Sequence, residues 1–143
     1  MHGDHVEILL VEDDLADVTL TKKALESSKL LIHLNHVEDG QKAMDYLKKR
    51  NGYEAVAAPD LILLDLNMPV KDGRETLKEI KEDPDLKKIP VVVLTTSEAD
   101  TDIAKTYSTG ANCYIAKPVD FNQFQKVVNE ISNFWFTVVK LPH

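Results

Sequence analysis

The hydrophobic residues of this chain fall into short blocks that are separated by polar segments rich in turn formers. Three blocks, at residues 6–11, 61–64 and 91–96, consist largely of aliphatic residues. Runs of this length predict strands that are buried on both faces of a parallel sheet. Residues 34–37 predict a weaker strand, and residues 113–116 predict a short fifth one.

The segments between these blocks predict helices. In the first of them, apolar residues recur at helical spacing and favour one buried side, formed by Val18, Leu20, Ala24 and Leu25. Turn and capping residues precede other segments, as Asp39-Gly40 and Asp120 do. The predicted helices cover residues 16–27, a segment after Gly40 that carries Ala43, Met44, Tyr46 and Leu47, residues 73–82, residues 98–108, and a long last segment from Asp120 towards Val139.

Five strands that alternate with five helices predict an α/β fold with helices on both faces of a parallel sheet. Right-handed crossovers leave few topologies, and the doubly wound order 2-1-3-4-5 is the common one for five strands. No internal repeat, low-complexity tract or linker interrupts the alternation. We therefore expect one domain across residues 1–143.

Polar residues follow four of the predicted strands at the point where each strand ends. Residues 12–14 (Glu-Asp-Asp) follow the first strand, Asp65 the third, Thr95 lies at the end of the fourth, and Lys117 follows the fifth. In the order 2-1-3-4-5 these four strands are successive neighbours, about 4.8 Å apart. The polar side chains are therefore expected to converge on one edge of the sheet, where ligands bind in folds of this class.

Such a cluster of carboxylates is repulsive unless a cation lies among them. Lys117 supplies one positive charge, and a hard divalent ion would supply two more. A ligand set of oxygen atoms, without nearby histidine or cysteine, favours Mg²⁺ over zinc or copper. The sequence thus predicts an open Mg²⁺ site that water and phosphate oxygens complete.

Charge and composition narrow the class of protein further. Lys and Arg total 17 against 24 Asp and Glu, a net charge of −7, so no basic face is available to bind nucleic acid. The single cysteine, Cys113, excludes an intramolecular disulfide. No apolar run approaches the roughly 18 residues of a membrane span, which predicts a cytoplasmic protein. The histidines show no metal-binding spacing; they are His2, His5, His33, His36 and His143.

The combined motifs resemble those of a known family. The chain is similar over residues 6–139 to the receiver domains of two-component signalling, including the chemotaxis receiver, with their flavodoxin-like fold. The matching motifs are Glu12-Asp13, Asp65 with Asn67-Met68-Pro69 and Asp72-Gly73, Thr95, and Lys117-Pro118. A narrower resemblance, to the single-domain response regulators of cyanobacterial and bacterial phytochromes, rests on residues 94–97, 111–115 and 134–142.

The resemblance implies that Asp65 accepts a phosphoryl group from a phosphohistidine of a sensor histidine kinase, which the narrower likeness makes a phytochrome. It also implies that Asp13, Asp65 and the backbone carbonyl of Asn67 bind Mg²⁺, with Glu12 reaching the ion directly or through water. Glu12 stands where many receivers have Asp, and the longer side chain favours a contact through water. Lys117 would neutralise phosphoryl oxygens.

The resemblance also implies that two further residues carry the conformational change that follows phosphorylation of Asp65. The hydroxyl of Thr95 would follow a phosphoryl oxygen once Asp65 is modified, and Tyr114 would reorient on the outer face. The Lys117-Pro118 peptide bond is expected to be cis. Asn67 is not a good general base, which predicts slow self-dephosphorylation.

Two alternatives to a switch remain, a phosphorelay intermediate and a phosphate sink. An aspartyl-nucleophile phosphatase is disfavoured because Asn67 stands where that class needs a second Asp to deliver a proton. Asp14 has two interpretations: it adds charge to the metal site, or it favours the start of the first helix. We expect no output domain after the last helix.

The predicted last helix carries more apolar residues than one packed face can bury. Phe136, Val139 and Leu141 lie outside the stripe that packs on the sheet. Exposed apolar surface of this kind is typical of a partner surface, and we expect a homodimer; the alternative is a tail that folds back over its own domain. The predicted interface is an apolar extension at about residues 134–142 that comprises Phe134, Trp135, Phe136, Val139 and Leu141.

Overall fold

The computed structural model describes residues 5–26, 31–66, 68, 70–95, 113–117, 120, 122, 123 and 126. Strands and helices alternate along this part of the chain, as predicted. The elements are β1 (His5–Val11), α1 (Leu15–Glu26), β2 (Leu31–Val37), α2 (Gly40–Leu47), β3 (Leu61–Asp65), α3 (Gly73–Glu82), β4 (Val91–Thr95) and β5 (Cys113–Ala116). The predicted fourth helix, and most of the predicted fifth, lie outside the described residues.

The five strands form one sheet in the order β2-β1-β3-β4-β5, and every neighbouring pair is parallel. This confirms the predicted doubly wound topology. The register keeps the carboxyl ends of the strands almost level: Val11 pairs with Leu64, Asp65 pairs with Leu94, and Thr95 pairs with Ala116. Residues that follow β1, β3 and β5 therefore emerge at the same edge.

The sheet separates two hydrophobic cores, and successive residues of its central strands alternate between them. Leu10 and Leu63 belong to the core that also contains Val18 of α1. Leu9 and Ile62 belong to the core on the other face, which α2 and α3 cover. This two-sided burial explains the uninterrupted aliphatic runs, since burying each large aliphatic side chain stabilises the fold by about 1.5–3 kcal/mol.

Aspartate caps begin the first three helices. The Asp39 carboxylate accepts a hydrogen bond from the backbone N–H of Lys42 at the start of α2. Asp72 caps α3 in the same way. Asp14 accepts from the N–H groups of Ala16 at 2.8 Å and Asp17 at 3.2 Å, which confirms the interpretation of Asp14 as a helix-start residue.

Two details of the prediction were wrong. Strand β2 begins at Leu31 rather than at residue 34, because its first residues pair with the start of β1. Strand β2 lies at the edge of the sheet, and its first residue, Leu31, is 65% exposed. The strand therefore does not begin with the continuous run of buried residues that marks the central strands. In α1, Leu20 is 42% exposed, whereas Thr21 is buried. The buried stripe of this helix consists of Val18, Thr21, Ala24 and Leu25, at three- and four-residue steps that exclude Leu20.

No helix among the described residues is both long and apolar enough to cross a lipid bilayer.

Candidate acidic site at the carboxyl edge of the sheet

A lysine lies at the centre of the site. The Lys117 ammonium follows β5 and is 2.7 Å from Oε1 of Glu12 and 3.2 Å from Oδ2 of Asp65. It also donates a hydrogen bond to Oδ2 of Asp17 at 3.1 Å. The side chain of Lys117 is only 8% exposed, and those of Glu12 and Asp65 are 0% and 2% exposed. The structure thus brings together Glu12 and Lys117, which follow β1 and β5, and Asp65, the last residue of β3.

Three carboxylates share the same space. Oxygen atoms of Glu12, Asp13 and Asp65 lie within 4.8 Å of one another, and of the three side chains Asp13 alone is exposed. At this separation the negative charges repel each other, and Lys117 balances only part of that charge. An all-oxygen donor set that is open on one side fits a hard divalent cation such as Mg²⁺.

The cluster changes the protonation of its members. Burial raises the pKa of Glu12 to about 7; Lys117 opposes this rise, and the neighbouring Asp65 adds to it. Burial also acts to lower the pKa of Lys117, but Glu12 and Asp65 outweigh it, so the pKa of Lys117 is raised above its ordinary value. Lys117 therefore keeps its charge near neutral pH, and the raised pKa of Glu12 lies in that range.

Close packing fixes the position of Asp65 at the end of β3. Gly73, the first residue of α3, packs so closely that a Cβ atom there would lie 2.1 Å from the Asp65 carbonyl oxygen. The N–H of Gly73 donates to the carbonyl of Leu66 at 3.0 Å. Between these anchors the loop includes Val70, a β-branched residue with a φ of 67° that is 83% exposed. A residue without a Cβ atom is therefore needed at position 73 for the close approach of α3 to the site.

Two residues at the site were missed from the sequence. Asp17 lies four residues after Asp13, a spacing that points to one side of a helix start and could have drawn attention to it. No sequence signal marks His36, because its contact ends on a backbone atom. Its Nε2 atom lies 2.6 Å from the carbonyl oxygen of Glu12.

Other predicted site residues are described in part or not at all. Tyr114 lies on β5 and is 40% exposed. Thr95 ends β4, but its side chain lies outside the described residues, as do Asn67 and the predicted cis bond before Pro118. The same holds for the predicted dimer interface, Phe134, Trp135, Phe136, Val139 and Leu141.

The fold and this site define a receiver domain. Residues 8–129 match the response regulator receiver domain family, and the chain belongs to that family. Its members are phosphoacceptors of two-component signalling, partners of histidine kinases rather than enzymes in the usual sense. Receiver domains bind Mg²⁺ at an acidic pocket, and the cluster of Glu12, Asp13 and Asp65 is such a pocket. The predictions of the family, its phosphoacceptor function and its Mg²⁺ cofactor are confirmed.

Individual relatives are regulatory proteins that this chain matches over most of their length. The chain is 47% identical over 135 residues to the response regulator Rcp1 of Synechocystis sp., covering 94% of this chain and 92% of Rcp1. It is 41% identical to the probable methanogenesis regulatory protein FilR2 of Methanothrix harundinacea, over 90% of this chain and 82% of that protein.

Solved structures of phytochrome response regulators support the narrower resemblance. The phosphorylated cyanobacterial phytochrome response regulator RcpA superposes with a TM-score of 0.79 at 47% identity, covering 97% of this chain and 99% of RcpA. The Mn²⁺-bound form of Rcp1 gives a TM-score of 0.78 at 46% identity, over 96% and 99% of the two chains. The bacteriophytochrome response regulator AtBRR gives 0.81 at 40% identity, over 92% and 95%. The predicted resemblance to phytochrome response regulators is confirmed.

Proposed function

We propose that Asp65 is the phosphoacceptor of this receiver domain and takes its phosphoryl group from a phosphohistidine of a sensor histidine kinase. The observation that carries this proposal is the buried Asp65 carboxylate at the end of β3, 3.2 Å from the Lys117 ammonium. A carboxylate oxygen attacks phosphorus in line, the phosphorus–nitrogen bond breaks, and the imidazole leaves. The product is an acyl phosphate on Asp65.

Charge neutralisation is the main demand of this reaction, because negative charge is spread over the transferring phosphoryl oxygens. Lys117 is fixed among carboxylates and keeps its proton, so it can pair with one of those oxygens without reorganisation. Mg²⁺, when bound, would supply the remaining positive charge. We assign the ligands as Asp13, Asp65 and the Asn67 carbonyl.

Glu12 has a different place in the ligand set. Its Oε1 atom is paired with Lys117 at 2.7 Å, and its Oε2 atom accepts a hydrogen bond from the N–H of Asp14 at 3.2 Å. With both oxygens engaged inside the protein, Glu12 would contribute to the ion through water. Its main role is to hold Lys117 beside Asp65.

The proposed output is a conformational switch. The Thr95 hydroxyl moves towards the phosphoryl group, and Tyr114, which is 40% exposed on β5, reorients in response. Asn67 is a poor general base, so self-dephosphorylation is slow. The chain forms a single receiver domain over residues 1–143, and its apolar extension at about 134–142 makes a homodimer that phosphorylation tightens.

The kinase partner we propose is a phytochrome. The support is the similarity to RcpA, a cyanobacterial phytochrome response regulator, and to AtBRR, a bacteriophytochrome response regulator. Such a kinase obtains its phosphoryl group from ATP. We therefore propose that the transfer to this chain takes place in the cytoplasm. The net charge of −7 disfavours nucleic acid as a direct partner.

Intact mass spectrometry tests the phosphoacceptor assignment. After incubation with acetyl phosphate and Mg²⁺, the wild-type mass should rise by one phosphoryl group, and Asp65→Asn or chelation should abolish the gain. The matched control is Asp60→Asn at the opposite end of β3, where the carboxylate accepts a hydrogen bond from the N–H of Glu7 at 2.8 Å. That variant should be phosphorylated like the wild type. Stable phosphate on Ser, Thr or His would overturn the assignment.

Transfer from a kinase distinguishes a switch from the alternatives. A phosphorylated phytochrome kinase should transfer to this chain faster than an unrelated histidine kinase does. A relay intermediate would pass the group on to a histidine phosphotransfer protein, and a phosphate sink would lose it without any change in oligomeric state.

A further inference from the structure

A histidine on the edge strand contacts the backbone of the acidic site. His36 is the penultimate residue of β2, and its Nε2 atom lies 2.6 Å from the carbonyl oxygen of Glu12. Since a carbonyl oxygen can only accept, Nε2 carries the proton and donates it. The contact crosses from β2 to the first residue after β1, where the sheet pairing of β1 ends.

This bond is one of two that hold the Glu12 backbone. The N–H of Glu12 donates to the carbonyl of Val37 at 3.1 Å, and the carbonyl of Glu12 accepts from His36. The second bond lies on the peptide unit that joins Glu12 to Asp13. Fixing that carbonyl fixes the plane of the peptide from which Asp13 departs.

The orientation of this peptide matters because of where Asp13 lies. Its side chain is exposed, so packing does not hold it in place, yet its carboxylate oxygen lies within 4.8 Å of those of the buried Glu12 and Asp65. A small rotation of the peptide plane would carry an exposed carboxylate away from the other two. A hydrogen bond from a side chain on the neighbouring strand to the Glu12 carbonyl would oppose that rotation.

We propose that His36 is a positioning residue of the Mg²⁺ site, which orients Asp13 by donating a hydrogen bond to the carbonyl of Glu12. This inference rests on the proposed function of the acidic site. It assigns the histidine a role as a hydrogen-bond donor and not as a metal ligand. Groups that orient metal ligands typically change metal affinity 10- to 100-fold when they are removed.

The chemistry of the side chains supplies discriminating variants. In His36→Gln, the amide nitrogen can occupy nearly the position of Nε2 and donate the same bond. In His36→Asn, the shorter amide reaches only the position of Nδ1. His36→Leu fills a similar volume without any donor.

Calorimetric titration of the full chain with Mg²⁺ tests the inference. His36→Leu and His36→Asn should weaken Mg²⁺ binding by about tenfold, whereas His36→Gln should stay within about threefold of the wild type. In the acetyl phosphate reaction, the Mg²⁺ concentration for half-maximal rate should shift in the same way, while the rate at saturating Mg²⁺ stays near the wild-type value.

A second histidine of β2 provides the control for general destabilisation. His33 contacts the buried Glu7 carboxylate at 2.8 Å, near the other end of β1. His33→Leu should lower the melting temperature and leave Mg²⁺ affinity unchanged. If it weakens Mg²⁺ binding as much as His36→Leu does, the effect is not one of positioning.

Wild-type affinity in His36→Leu would overturn the inference, as would an equal loss in His36→Gln and His36→Leu. If His36→Leu does not fold, the contrast between His36→Gln and His36→Asn decides the question. Failure of the proposed function is a separate result: the wild type would then gain no phosphoryl group on Asp65, whatever the His36 variants show.

Discussion

Oε1 of Glu12, a carboxylate with no exposed surface, lies 2.7 Å from the Lys117 ammonium, and this pair holds the cation 3.2 Å from Asp65. Removing two charges from water is costly, and their attraction offsets that cost only when both partners are present. Glu12 and Lys117 therefore depend on each other. The pair also sets which groups of the site exchange protons.

The first prediction concerns the loss of one partner. Lys117→Met leaves the Glu12 carboxylate buried without its ion pair, so the free energy of unfolding should fall by about 3 kcal/mol at pH 8 without Mg²⁺. The double variant Lys117→Met/Glu12→Gln removes both charges and should regain most of that loss. Urea unfolding at pH 8 measures the free energy of unfolding of the wild type, the single variant and the double variant. A double variant as unstable as the single one would show that packing, not charge, causes the effect.

The second prediction is the pH dependence of stability without Mg²⁺. The pKa of Glu12 is raised from 4.5 to about 7 by folding, so the folded state binds this proton more tightly than the unfolded chain does. The stabilisation is therefore full below about pH 4.5 and is lost as the pH rises to about 7. The free energy of unfolding that is lost over this pH range is about 3 kcal/mol. Lys117 does not add to this slope, because its raised pKa keeps it charged in both states across the window.

Comparing wild type with Glu12→Gln isolates this contribution. The wild type should lose about 3 kcal/mol relative to the variant between pH 4.5 and pH 8. Groups that do not contact Glu12 contribute equally to both proteins and cancel. Parallel stability curves for the two proteins would show that Glu12 does not titrate in this range.

The main features of the fold follow from residues whose burial is two-sided. Residues 61–64 are aliphatic without interruption because both faces of β3 are covered. Asp72-Gly73 predicts a helix start, and α3 begins at Gly73 with Asp72 as its cap. In such places the local pattern and the tertiary environment demand the same residue type.

Other features depend on contacts that no local pattern encodes. The edge strand β2 is partly exposed along most of its length, and the polar residues His33 and Asn35 interrupt its apolar residues, so it lacks the continuous aliphatic run of the central strands. The bond from His36 ends on the carbonyl oxygen of Glu12, a backbone atom that every residue carries. Asp17 reaches Lys117 across 100 residues of sequence. Only the assembled sheet brings such groups together.

The third prediction concerns the packing of α3 against the phosphoacceptor strand. In Gly73→Ala the new methyl group would lie 2.1 Å from the Asp65 carbonyl oxygen, so the start of α3 must move. Overpacking of this kind costs about 1–3 kcal/mol. Thermal unfolding should show the loss, and phosphorylation by acetyl phosphate should slow because Asp65 shifts. Lys78→Ala, at an exposed position of the same helix, should change stability by less than about 0.5 kcal/mol.

The fourth prediction tests the proposed dimer. Sedimentation should show self-association of the full chain that phosphorylation of Asp65 strengthens, because the sequence at about residues 134–142 carries more apolar residues than one packed face is expected to bury. A chain truncated after Asn133 should remain monomeric. Two monomeric proteins at tens of micromolar, with and without phosphorylation, would contradict the proposal and favour a tail that folds back.

The last prediction arises from Val70 in the loop between β3 and α3. Its φ of 67° places a β-branched residue in the left-handed region, which costs about 1–2 kcal/mol for a residue with a Cβ atom. The side chain is 83% exposed, so its removal forgoes little burial. Val70→Gly and Val70→Asn should therefore raise the free energy of unfolding by about 1 kcal/mol, because glycine and asparagine tolerate this conformation.

For a domain of this size, that gain corresponds to a rise in Tm of about 3 °C. The matched control is Val70→Thr, which keeps the β-branched shape and should leave Tm unchanged. If all three variants melt together with the wild type, the loop does not hold Val70 in a strained conformation. If Val70→Gly and Val70→Asn are less stable, the isopropyl group contributes contacts that outweigh the strain.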